Sequence, residues 1–149
     1  MKYKMTDKNG RTHNGFQLPS NGTWFHAEDM TSAEPTPCTN TVLHFYDHPL
    51  LAVMLNPING GYQEPRLFEI EIDAEIGNDG MKGWCRSQRV VREIEVPEIS
   101  IPARIRFAIR CAQTSPQPQA KEWNEWAENW LSGKDRSASA ARAARVAAA

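Results

Sequence analysis

Between Arg66 and Val96 the chain alternates. Phe68, Ile70, Ile72, Ala74 and Ile76 fall between Glu69, Glu71, Asp73 and Glu75, the period of two that puts apolar side chains on one face of a strand and acids on the other. Asn78-Asp79-Gly80 supplies residues that tolerate a tight turn, and Arg89 to Val96 alternates again with Val90, Ile94 and Val96 on one face, so the stretch predicts a hairpin. The same alternation puts Arg92 on the apolar face, where a guanidinium is costly unless an anion meets it.

Other runs predict shorter elements. Met1 to Thr6 reads as a strand, Asp7-Lys8-Asn9-Gly10 as a turn into a second strand over Arg11 to Leu18, and Thr23 to His26 and Val42 to Tyr46 as short strands. Pro19 to Gly22 breaks the chain, and Ala27 to Thr41, with Pro35 and Pro37 and little periodicity, reads as a surface loop. Asp47-His48-Pro49 has the form of a helix start, continued by Leu50 to Leu55 and ended by Asn56 to Gly61. Ile101, Ile105, Ala108, Ile109 and Ala112 recur at helical spacing after Pro102, and a further helix over Gln119 to Leu131 stops at Gly133, with a break at Ser115 to Pro118 between them. Together these predict an α+β fold: an antiparallel sheet with a central hairpin, covered by C-terminal helices. One domain is expected over 1–133, with an alanine-rich helical tail over 134–149.

Composition narrows the chemistry. The 149 residues carry a formal charge of −1, which argues against holding duplex nucleic acid by an overall basic field. Cys38, Cys85 and Cys111 lie far apart without a CxxC pair, so reduced thiols are expected. With no apolar leader region in MKYKMTDKNG and no run of 18 apolar residues, a soluble, intracellular protein with no membrane partner is expected. GxSxG, P-loop, HExxH and GxGxxG signatures are absent, so hydrolase and kinase readings lack their motifs and no catalytic residue is assigned. His44 and His48 flank Asp47 without a third ligand, which predicts capping or hydrogen bonding and no metal. Glu69, Glu71 and Glu75 read as a solvated strand face, and Trp123, Trp126 and Trp130 as a helix packing face. With the tail, those tryptophans offer more apolar helix surface than one small sheet uses, so a homo-oligomer is expected.

The arginines carry the sharper expectation. Arg89 and Arg92, followed soon by Arg104 and Arg106, would form a set of planar fork donors suited to phosphate oxygens, with Trp24 or Phe107 against a base. Equally, Arg92 would be satisfied by an Asp or Glu of a neighbouring strand.

MKYKMTDKNG, PCTNTVLHFYDHPLLAVML, LFEIEI, VVREI, RFAIRCA and WLSGKDRSASAARAA together resemble the phage anti-Thoeris proteins, small phage sponges with alanine-rich C-terminal tails. The resemblance implies an oligomer in the cytoplasm of an infected bacterial host. It implies a protein that sequesters a cyclic nucleotide immune signal, such as a cyclic ADP-ribose isomer, without cleaving it and without a cofactor. Arg92 and the Arg106-Phe107 pair are the positions it carries over; here Arg104 is added, and Leu43 stands where a glycine is usual before the histidine. A second resemblance, of LHF, HPLLAVML and LFEIEI to the middle of compact ADP-ribosyltransferases, implies an NAD-using enzyme with Glu69 or Glu71 as its acid. A third class, a phage factor that blocks another protein, needs no pocket.

Overall fold

In the computed structural model, which describes residues 1–19, 22–114 and 120–147, the alternating runs pair antiparallel, Leu67 opposite Ile94 and Ile72 opposite Gln88. They are β4 (Arg66–Ile72) and β7 (Ser87–Ile94), flanked by β1 (Lys2–Thr6) on β4 and β2 (Trp24–His26) on β7, in the order β1-β4-β7-β2. A smaller antiparallel sheet, β3-β6-β5, consists of β3 (Leu43–Phe45), β6 (Gly83–Cys85) and β5 (Gly77–Asn78). Helix α1 (Pro49–Asn59) follows β3, and α2 (Ile101–Gln113), α3 (Lys121–Ser132) and α4 (Ala138–Ala147) follow the strands. The fold is α+β with antiparallel sheets and C-terminal helices.

Two compact units result, residues 1–99 and 100–149. The boundary expected after Gly133 lies inside the second. In the first unit both faces of the larger sheet are covered, because its strands carry apolar residues at both parities. Leu67, Met5 and Ile94 pack with Ala52 and Val53 of α1, while Phe68, Ile70 and Val90 pack with Leu18, Phe25, Phe45 and Cys85. Phe68 and Ile70 are core residues and Ile72 packs against them, as the alternation predicts.

The alternation misplaces Arg92. A register shift between Glu69 and Ile70 sets Arg92 opposite Glu69 but Val90 opposite Ile70, so the extra residue on β7 resets the parity that strict alternation assumes. Arg92 is therefore exposed and Val90 buried.

Three further expectations are corrected. Arg11 to Leu18 is no strand: Thr12 N donates to Phe16 O at 2.9 Å and Gly15 N to Thr12 O at 2.8 Å, so the segment turns back on itself, leaving one bridge between Arg11 and Gln17. β4 stops at Ile72, and the turn at 79–82 belongs to β5 and β6. α1 runs on through Pro57 to Asn59, because Asn56 closes its end, donating to Tyr62 O at 2.8 Å and accepting from Tyr62 N at 3.1 Å. His48 is its N-cap, Nδ1 accepting from Leu50 N at 3.2 Å, while Asp47 bonds the Lys2 ammonium and accepts from Asn78 Nδ2 at 2.6 Å.

In the second unit Ser100 caps α2, and Gly133, at φ +83°, ends α3 in the left-handed region that an L side chain adopts at a cost. Trp123, Trp126 and Trp130 pack with Ile105 and Ile109 of α2, the packing role predicted for them. The break expected at Ser115 to Pro118 and the helix start at Gln119 lie outside the described residues.

Candidate functional site

Two of the expected arginines, Arg89 and Arg92, are met by carboxylates of the protein. Arg92 grips Glu69 with both arms of its guanidinium, Nε to Oε2 at 2.6 Å and NH2 to Oε1 at 2.9 Å. Arg89 donates from Nε to Glu71 Oε2 at 2.7 Å and lies 5.4 Å over the ring of Trp24. Each arginine is thus met by a carboxylate of the facing strand, which holds the Glu69 carboxyl below its ordinary range. Both glutamates proposed as transferase acids are held in these pairs. Arg104, Arg106 and Phe107 stand on α2, in the second unit, with Arg106 and Phe107 exposed.

The sheet unit instead holds a cleft of about 710 Å³, within the range of small-molecule sites. Its walls come from β1, the turn at 12–16, β2, the loop at 38–42, β3 and the end of α1. Phe16, 43% exposed, is tilted against buried Phe25 with ring centroids 5.5 Å apart, and Tyr46 and Tyr62 add further rings. His13, His26 and His44 line it as well. Among the described lining residues Glu28 is the one carboxylate, against the amines of Lys4 and Lys82.

Those lysines differ from their neighbours. Lys2 pairs with Asp47 and Glu75, Lys8 with Glu64, Arg66 with Glu93, Arg89 with Glu71 and Arg92 with Glu69. Lys4 Nζ donates to His44 O at 2.8 Å and Lys82 Nζ to Cys38 Sγ at 3.4 Å; among the described residues neither has a carboxylate in ion-pairing reach. Lys4 is buried because β1 is covered on both faces, and burial pulls its ammonium down to about 8.

His44 is the hinge between the floor and the rim. Its carbonyl accepts from Lys4 and from the fully buried Gln88, whose Nε2 lies at 3.0 Å. Its Nε2 accepts from Cys38 N at 3.2 Å, so the neutral ring carries its proton on Nδ1. Burial first, then the charges of Lys82 and Lys4, pull the imidazole down to about 4. Cys38 has φ +64°, unusual for a residue with a side chain. Thr39 and Thr41 hold that turn, Thr39 Oγ1 donating to Thr36 O at 2.7 Å. Behind it, Arg86 binds the carbonyls of Asp29 and Ser32 and so ties down the loop at 27–41. Cys85, by contrast, is buried in the core, and burial pushes its thiol up to about 11.

No group of three or more His, Cys, Asp or Glu able to hold a metal occurs among the described residues. No helix among them is long and apolar enough to cross a membrane. Sequence reasoning did not single out Lys4, or Cys38 and Lys82, which only folding brings to His44. Comparison with protein-family models, with curated proteins and with solved structures gives no match.

Proposed function

We propose that the sheet unit binds a phosphate-bearing, nucleotide-sized molecule in this cleft and holds it without cleaving it. The observation that carries this reading is the pair of lysines without carboxylate partners, lining a cleft that also offers aromatic rings. A phosphate at Lys82 would give its ammonium the direct ion pair that Asp79, which accepts from the Lys82 backbone N–H at 2.7 Å, does not make, and charge-assisted bonds of that kind contribute about 1.5–3 kcal/mol each. Phe16, already exposed beside Phe25, gives a base a ring to stack on. Two observations favour retention over turnover: Glu69 and Glu71 are bound to arginines, and His44 Nε2 accepts from the Cys38 amide. The resemblance to phage sponges makes a cyclic nucleotide, and a cyclic ADP-ribose isomer first, the ligand to try, acting in the cytoplasm of an infected host. It places the ligand on the arginines; the pairing of Arg89 and Arg92 moves our reading to the lysines.

A thermal-shift panel of cyclic nucleotides and ADP-ribose isomers tests this. A ligand at a hundred times its dissociation constant stabilises its site by about 2.7 kcal/mol, and heat denaturation should return it with unchanged mass. Conversion of NAD or of the bound nucleotide would identify an enzyme. A panel without any shift would remove the binding reading.

A further inference from the structure

Lys4 stands in the floor of the cleft. Its side chain is walled in by β1, β3 and the floor of the cleft, at 9% exposure. Among the described residues its one hydrogen bond goes to a neutral acceptor, the carbonyl of His44 at 2.8 Å. Three carbonyls nearby are already engaged: Gln88 Nε2 shares that of His44, and the Cys85 thiol bonds Leu43 O and Ser87 O. Gln88 Oε1, buried beside this cluster, is an acceptor without a hydrogen-bond partner. A buried ammonium without a counter-charge is held at a cost that an amine does not bear.

We propose that Lys4 forms an imine with an aldehyde-bearing ligand that enters the cleft. The neutral Nζ lone pair adds to the carbonyl carbon, a proton passes from nitrogen to the former carbonyl oxygen, and that hydroxyl then leaves as water with the second nitrogen proton as the C=N bond forms. No oxidant or reductant is consumed. The ammonium proton lost beforehand goes to solvent, and the pull of burial, to about 8, leaves a substantial fraction of Lys4 as free amine near that pH. Phosphorylated open-chain sugars and pyridoxal-type aldehydes have the required pairing, a carbonyl for Lys4 and an anion for Lys82 at the rim.

The cleft is shared with the reading above, but the readout is a covalent mass, so either can fail without the other. Pyridoxal 5′-phosphate, and pyridoxal lacking the phosphate, would be incubated with the intact protein at about pH 8 and reduced with borohydride. Hydride then goes to the imine carbon and fixes the adduct as a secondary amine. Peptide mass spectrometry should place most of the label on Lys4, ahead of Lys8, Lys121 and Lys134, which are exposed. Lys4→Met should lose that label and leave the rest. Label spread over the exposed lysines of the folded wild-type protein, with Lys4 unmodified, would overturn the proposal whether or not the variant folds. Equal labelling of Lys4 by both aldehydes would keep the amine and remove Lys82 from the site.

Discussion

Lys4→Met is expected to raise the melting temperature at neutral pH while weakening ligand binding. The ammonium's pKa falls from 10.5 to about 8 on folding because burial strips it of water. At about 1.4 kcal/mol per unit, keeping it charged inside the fold costs roughly 3 kcal/mol. The sign follows from proton counts. Below about pH 8 both folded and unfolded chains hold the proton, and the full cost is present. Between there and 10.5 the unfolded chain keeps the proton that the folded chain has released, so stability rises with pH and the cost fades. Methionine fills a similar volume without the charge. It loses a hydrogen bond worth about 1 kcal/mol, but the His44 carbonyl retains the one from Gln88. A net gain of about 2 kcal/mol, or roughly 8–16 °C for a unit of this size, is expected at neutral pH, shrinking as the pH is raised. Calorimetric scans at pH 7 and above 10 would check it. A fall in melting temperature at neutral pH would mean that Lys4 is a structural residue with a partner it needs. A buried charge kept against stability is what a binding site, rather than a core, requires.

Gly83→Ala is expected to act in the opposite direction and more locally. A methyl group at Gly83 would lie 2.3 Å from Phe45 Cζ and 2.4 Å from Cε2, and Phe45 is fully buried with Lys2 Nζ 4.6 Å from its ring centroid. The ring has no solvent to retreat into. Overpacking of this kind costs about 1–3 kcal/mol and sometimes more. Because Phe45 pairs with Gly83 and His44 with Trp84, the displacement is passed to the strand that carries His44, so the cleft should suffer with the core. Urea unfolding should show a lower midpoint for Gly83→Ala, and Phe45→Leu in the same chain should recover part of it by vacating the space. A single variant as stable as the parent would show that β3 and β6 separate more easily than their packing indicates.

Much of the fold was legible because its elements announce themselves locally. Phe68, Ile70 and Ile72 alternate, Pro49 follows a capping residue, and Gly133 stops a helix carrying three tryptophans on one side. What was not legible depends on residues far apart. Strict period-two counting put Arg92 inside, and one extra residue on β7, invisible without its partner strand, put it outside opposite Glu69. Nothing in the strand over Met1 to Thr6 marks Lys4 as buried, yet α1 and β3 cover both sides of that strand. The candidate site suffered most: Lys4, Cys38, His44 and Lys82 are separated by up to 78 positions and share no motif. Arg89 and Arg92, close in sequence and conspicuous in charge, have carboxylate partners on the facing strand, Glu71 and Glu69.

The most direct test of the account is calorimetric titration of cyclic ADP-ribose into the wild-type protein, Lys82→Ala and Arg92→Ala. Binding through the cleft predicts that Lys82→Ala weakens affinity by roughly ten- to a hundredfold, the loss of one charge-assisted bond, while Arg92→Ala, which breaks only an exposed pair with Glu69, leaves it unchanged. Affinity that survives Lys82→Ala and is lost in Arg92→Ala would contradict the account and return the ligand to the arginines.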